Sequence, residues 1–231
     1  MLYSYGLILT LSTANPHHDA AQSVLNLLRG RAKAEDVISH VESLKTSLET
    51  SDEHHPNVDG TVRSIVVQSL LHIGCRSFSH LLNAIERYLP LLRIVANVGP
   101  TGSGTQQAKA EILTSVGVFW IYNPQMVGIV FDKLMQYQIV DPTDVVDWIF
   151  VSGQKILHSE SAITGNVSAR TWDLLKAALD KANGRLVIAR RKVAALRKED
   201  DENRAHANAN SLKMEVDDVK TGASFIFENV R

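Results

Sequence analysis

Two dipeptides constrain this chain more than any other feature: Asn123-Pro124 and Asp141-Pro142. In each, a side chain able to cap a helix stands directly before a proline. Proline has no N–H to donate, and the first turn of a helix is where a missing donor costs nothing. The two steps therefore predict helices beginning at Pro124 and Pro142, about 15 and about 11 residues long. Asp144, in the first turn of the second, complements the helix dipole. Elsewhere, too, apolar residues recur at three and four. Val24, Leu25, Leu27 and Leu28 mark a face over 18–29, and Val37, Ile38, Val41, Leu44 and Leu48 mark one over 35–49. Ile65, Val66, Leu70 and Ile73 do the same over 62–76. Ser77 is placed to cap a helix carrying Leu81, Leu82, Ile85, Leu89 and Leu92, which Pro90 should kink or end. A further helix is expected over 106–122. Strand alternation is almost absent. The expected class is all-α: a HEAT-like antiparallel helical array over residues 1–165, although no strict internal repeat is present. Leu70, Leu81, Phe119, Trp120, Met126 and Trp148 are its expected core residues.

The last third carries a different pattern. Trp172, Leu175, Leu179, Ala182, Leu186, Ala189, Val193 and Leu196 alternate at spacings of three and four, which is the seam of a coiled coil. A long coiled-coil helix is therefore expected over 166–199, with Trp172, Leu175, Leu179, Leu186, Val193 and Leu196 as its principal seam. Beyond Glu199 the pattern dies in DDENRAHANAN, and 200–231 reads as a mostly disordered tail.

Composition narrows the chemistry. The formal net charge is −1, so no global field steers the chain toward nucleic acid. Cys75 is the only cysteine, which excludes an internal disulfide or a thiolate zinc site and favours a reducing compartment. No apolar run is long enough to span a bilayer. The opening MLYSYGLILTLST lacks the basic region of a signal peptide and reads as a buried helix. His17-His18 and His54-His55 read as solvated loop histidines, and His72 and His80 as partly buried, satisfied ones. Cys75 beside Arg76 reads as a small buried hydrophobe rather than a reactive thiol. GPTGSGT at 99–105 lacks both the lysine and the preceding strand of a phosphate loop, so it reads as a linker. Asp144 and Asp147 are explained by the helix dipole and surface. No catalytic, cofactor or metal residues emerge, and an enzyme is not expected. One run stands out: Arg185, Arg190, Arg191, Lys192, Arg197 and Lys198, with no acid among them. The solvated flank of a coiled coil is the preferred reading, and contact with RNA phosphate or nuclear import is the alternative.

Two longer segments are more specific. VQSLLHIGCRSFSHLLNAIERY and NPQMVGIVFDKLMQYQIVDPTDVVDWIF hold in order Ser77-Phe78-Ser79-His80, Pro124-Gln125-Met126, Asp132-Lys133, Ile139-Val140-Asp141 and Trp148-Ile149-Phe150, with Trp172 following. In that order and spacing the chain resembles the large subunits of nuclear mRNA cap-binding complexes, fungal members best, over roughly residues 15–200. The resemblance implies helical domains similar to the middle domain of translation initiation factor 4G. It places this chain in the first half of the third such domain, through the start of its coiled-coil insertion, as a truncated form. It further implies a scaffold without catalytic function, located in the nucleus and shuttling to the cytoplasm. The implied partners are a small RNA-recognition-motif subunit, which itself holds the 7-methylguanosine cap, capped mRNA indirectly, and factors for mRNA splicing, export and decay. No membrane is involved. No cap-contacting residue carries over to a position in this chain.

Overall fold

Capping side chains and helical periodicity set the boundaries of nearly every element in the computed structural model, which describes residues 17–51, 57–97, 104–153 and 169–228. The helices are α1 (His18–Arg29), α2 (Ala34–Ser51), α3 (Val58–Gly74), α4 (Phe78–Arg87) and α5 (Leu89–Asn97), followed by α6 (Gly104–Phe119), α7 (Pro124–Gln136), α8 (Pro142–Trp148) and α9 (Ala169–Glu228). No strand occurs among the described residues. The Asn57 side chain accepts from the Gly60 amide at 2.8 Å, and Ser77 from the His80 amide at 3.2 Å. Asn123 accepts from the Met126 amide at 3.3 Å, one turn into the helix that Pro124 opens. At Asp141-Pro142 the Asp144 carboxylate accepts from the Asp141 amide at 2.7 Å. Pro90 stands second in α5, where no intrahelical donor is lost, so the chain breaks at Tyr88 and restarts rather than kinking.

Two helices form the centre. α3 is apolar around most of its circumference, and Val62, Ile65, Val66, Val67, Leu70 and Leu71 are all buried. Such a helix can only be interior. It packs against α1, α2, α4 and α6, and α6 in turn meets α5, α7 and α8. Leu70, Leu81, Phe119, Trp120, Met126 and Trp148 all lie in the resulting core. Where α3 meets α4, Gly74 allows the close approach: a Cβ there would stand 2.8 Å from the Leu81 Cα. The helix from Pro142 is shorter than expected. After seven residues it widens into a π-helical turn, Ile149–Gly153, whose Gly153 closes on the Trp148 ring.

The sharpest departures from the sequence reading come in α9. The tail expected to be disordered from residue 200 is instead helical to Glu228. The chain divides into two compact units, 1–181 and 182–231. The expected seam lies on the open side of the helix. Trp172, Leu179, Leu186, Val193 and Leu196 are all exposed, and Leu175 is only half-buried. The side that packs in the first unit is Thr171, Leu174 and Ala178, one residue away from the apolar heptad, with Lys181 paired to Asp132 at 2.7 Å. Spacing alone fixes an apolar stripe, but a tertiary partner decides which stripe is covered. The segments 1–16, 52–56, 98–103 and 154–168 fall outside the described residues. They hold the opening apolar stretch, His54-His55 and most of the Gly-rich linker.

Candidate binding surfaces

Catalytic geometry was sought first. Two serine–histidine contacts occur: Ser77 Oγ with His80 Nδ1 at 2.7 Å, and Ser23 Oγ with His40 Nε2 at 2.9 Å. Ser77 is the N-cap of α4, so its pairing with a side chain three residues on is a capping contact. Ser23 donates to the Ala20 carbonyl at 2.8 Å and ties α1 to α2. Neither imidazole is oriented by a carboxylate among the described residues, so neither pair forms a nucleophile–base–acid set. Among the described residues no group of three or more His, Cys, Asp or Glu could hold a metal ion. The Cys75 thiol is half-buried and donates to the His72 carbonyl at 2.9 Å.

The carboxylates at the start of α8 have structural partners. Lys109 bridges Asp141 and Asp144, each at 2.9 Å. Burial alone would lower the Lys109 pKa, but the hydrogen bonds and charges of Asp144 and Asp141 outweigh it and raise the group above its ordinary value. Asp147 accepts from Gln106 at 3.0 Å. Arg63, only 5% exposed, donates to the Val95 carbonyl at 3.1 Å and pairs with Glu111, which also accepts from Asn57 at 2.9 Å. A buried charge is tolerable only with such saturation.

In the second unit, Arg190, Arg191, Lys192, Arg197 and Lys198 are exposed along α9, and Arg185 is half-buried. Lys198 faces Glu202 at 3.7 Å. This is a cationic helix surface with apolar residues such as Leu186 and Val193 also open to solvent.

The surface that sequence reading missed lies between α1, α3 and α4. Arg29, Arg31, Arg76 and Arg87 converge with His72 and His80 on a cleft of 640 Å³ whose described lining holds no carboxylate. The residues are separated by up to 58 positions, so no local motif reveals them. The available signal was weaker: all four arginines stand at or just beyond helix ends. Arg29 donates to His72 Nε2 at 3.2 Å, which places that imidazole's proton on Nδ1. Nδ1 is buried with no hydrogen-bond partner among the described residues, so His72 is partly buried, as the sequence suggested, but not fully satisfied. Burial first, then Arg29 and Arg76, hold His72 below the ordinary histidine pKa. Arg87 donates to the Arg31 carbonyl at 2.8 Å and Tyr88 to the Ala32 carbonyl at 3.0 Å, fixing the turn after α1. In that turn Arg31 has φ 56°, the left-handed position that glycine normally fills.

With the fold and its surfaces described, comparison with known proteins becomes decisive. A family model for MIF4G-like domains matches residues 3–230. This chain belongs to the MIF4G-like family. Among curated proteins, it is 27% identical over 183 residues to "Nuclear cap-binding protein subunit 1" of Oryza sativa subsp. japonica, covering 78% of this chain and 18% of that protein. The protein of the same name from Aedes aegypti is 24% identical over 215 residues, which is 91% of this chain and 24% of the relative. That of Arabidopsis thaliana is 30% identical over 135 residues, 58% of this chain and 14% of the relative. The chain thus spans less than a quarter of the length of these relatives. The α1–α8 array, with no strand among the described residues, is consistent with a MIF4G-like helical stack.

Proposed function

We propose that this chain is a non-catalytic scaffold segment of a nuclear cap-binding complex. On this reading it corresponds to part of the third helical domain of the large subunit. It supports a small RNA-recognition-motif subunit that holds the 7-methylguanosine cap, and it offers helical surface to factors for mRNA splicing, export and decay. Its site of action is the nucleus, with passage to the cytoplasm. The observation that carries the proposal is the family match over residues 3–230 together with repeated similarity to large cap-binding subunits. The helical array supports it, because the described residues present packing surfaces and no reacting centre. No described helix is long and apolar enough to cross a membrane.

The scaffold role predicts that the chain alone does not bind the cap. Cap recognition of this kind needs two aromatic rings flanking the base. Trp120 and Trp148 are 0% and 1% exposed, and Trp172, though open to solvent, stands on the exposed side of α9 rather than in a cavity. Titration of the chain with a 7-methylguanosine nucleotide, followed by tryptophan fluorescence, should give no saturable quenching. Methyl-specific saturation at micromolar ligand would contradict the proposal.

A second reading has its own observation. The cationic side chains of 185–198 are presented on one continuous helix, as a direct contact to RNA phosphate would require. Binding through them would weaken steeply with salt, by a slope of about 0.7 per phosphate neutralised on a single strand. A salt-independent association with other components favours the scaffold.

A further inference from the structure

The cleft between α1, α3 and α4 has no role in the reading above, and its construction is costly. Four guanidiniums and two imidazoles share one space of 640 Å³, in a chain whose formal net charge is −1. Among the described residues none of Arg29, Arg31, Arg76 and Arg87 takes part in an ion pair, whereas Arg63, Lys45 and Lys109 all do. Glu86, the chain neighbour of Arg87, accepts from the Tyr137 hydroxyl. Arg31 sits in a left-handed conformation that is strained for a non-glycine residue. The turn is pinned there by Arg87 and Tyr88. Uncompensated, mutually repelling cations on three rigid elements are what an anion site looks like before its anion arrives.

We infer that this cleft binds a phosphoserine or phosphothreonine within an extended segment of a partner protein. Planar guanidiniums match the paired oxygens of a phosphate monoester, and several can share its two negative charges. Asn83, exposed at the rim, offers both a donor and an acceptor to a peptide backbone. A nucleic acid fits less well. Single-stranded RNA is held by successive rings on which bases stack. Among the described lining residues Tyr88 is 1% exposed with its hydroxyl already engaged and the His72 ring is half-buried against Arg29, which leaves His80 as the one exposed ring. The inference stands on the cleft alone and does not depend on the cap-binding reading.

The test uses the full 231-residue chain. Four ligands are titrated by calorimetry: a short peptide with one phosphoserine, the same peptide unphosphorylated, inorganic phosphate, and an oligouridylate. In parallel, the ring resonances of His72 and His80 are followed by NMR. The phosphopeptide should saturate below about 1 mM and shift both rings, and the other three ligands should bind at least tenfold more weakly. Arg29→Gln combined with Arg76→Gln should weaken the phosphopeptide by about tenfold or more, since each removes a charge-assisted hydrogen bond. Both side chains are exposed, so the fold should persist, and an unchanged thermal melt verifies it. Equal binding of the unphosphorylated peptide would overturn the proposal. So would inorganic phosphate binding as tightly as the peptide, tighter oligouridylate binding at the same rings, or rings left unmoved by saturating phosphopeptide.

Discussion

Removing the ring of Trp148 should do more damage than any other single truncation in α8. The side chain is 1% exposed. Its Nε1 donates to Thr114 Oγ1 at 2.9 Å, and its ring meets Phe131 edge-on with centroids 5.1 Å apart. Gly153 approaches so closely that a Cβ there would lie 2.9 Å from the indole. Trp148→Ala therefore opens a cavity that neither the π-helical turn nor α6 can readily fill. The expected cost is about 3–5 kcal/mol, against the roughly 5–15 kcal/mol that holds a typical domain together. Trp148→Phe keeps most of the packing and forfeits the hydrogen bond, for about 1–2 kcal/mol. Thr114→Val strands a buried indole N–H, for about 1–3 kcal/mol. With both changes present no donor is left stranded, so the double variant should be more stable than the sum of its parts by about 1 kcal/mol. Urea unfolding followed by far-UV circular dichroism measures all four corners of the cycle. A cost below about 1 kcal/mol for Trp148→Ala, or strict additivity in the cycle, would refute the reasoning.

Three further outcomes follow from particular contacts. Gly74→Ala puts a methyl group 2.8 Å from both the Cα and Cδ1 of Leu81, so α3 and α4 must separate, and thermal melting should show a loss of about 1–3 kcal/mol. His72 is held neutral in the folded chain by burial, Arg29 and Arg76, whereas the unfolded chain protonates it near its ordinary pKa of about 6.5. Its contribution is therefore intact above that pH and declines as pH falls through it, and His72→Gln should flatten the stability–pH curve between about pH 7 and 5. With Trp172 at position a of the heptad, Arg185 and Lys192 fall at g and Arg190 and Arg197 at e, so a parallel homodimer of α9 would set like charges face to face. Sedimentation of a 168–199 peptide should show no parallel dimer, and end-labels brought together at one terminus would contradict this.

The helical array was legible because its signals are local. An Asx side chain before a proline needs only a few neighbouring residues to act, and α7 and α8 begin at Pro124 and Pro142 accordingly. Where the outcome depends on distant residues, local reading runs out. The heptad from Trp172 to Leu196 is real as a pattern, yet the covered line is Thr171, Leu174 and Ala178, because α9 docks on what lies beside its first turns. The helix also persists beyond Glu199. There the acidic and basic residues that suggested disorder form spaced pairs, such as Arg204 with Asp200 at 3.0 Å. The basic cleft was illegible for the same reason in a stronger form. Arg29 and Arg31 end one helix, while Arg76 and Arg87 flank another pair, and only tertiary packing brings them to one space. His72 shows the difference in a single residue: from its neighbours it reads as a core histidine, yet in the fold it is one wall of a cationic cavity.

The role proposed for this array is that of a scaffold for a cap-holding subunit. Sedimentation velocity of the chain mixed with a small RNA-recognition-motif cap-binding subunit from the same source tests it most directly. The account predicts a single faster species of one chain with one small subunit, persisting as salt is raised, with 7-methylguanosine bound only when the small subunit is present. Two components that sediment separately, while the chain alone retains its helical spectrum, would contradict it.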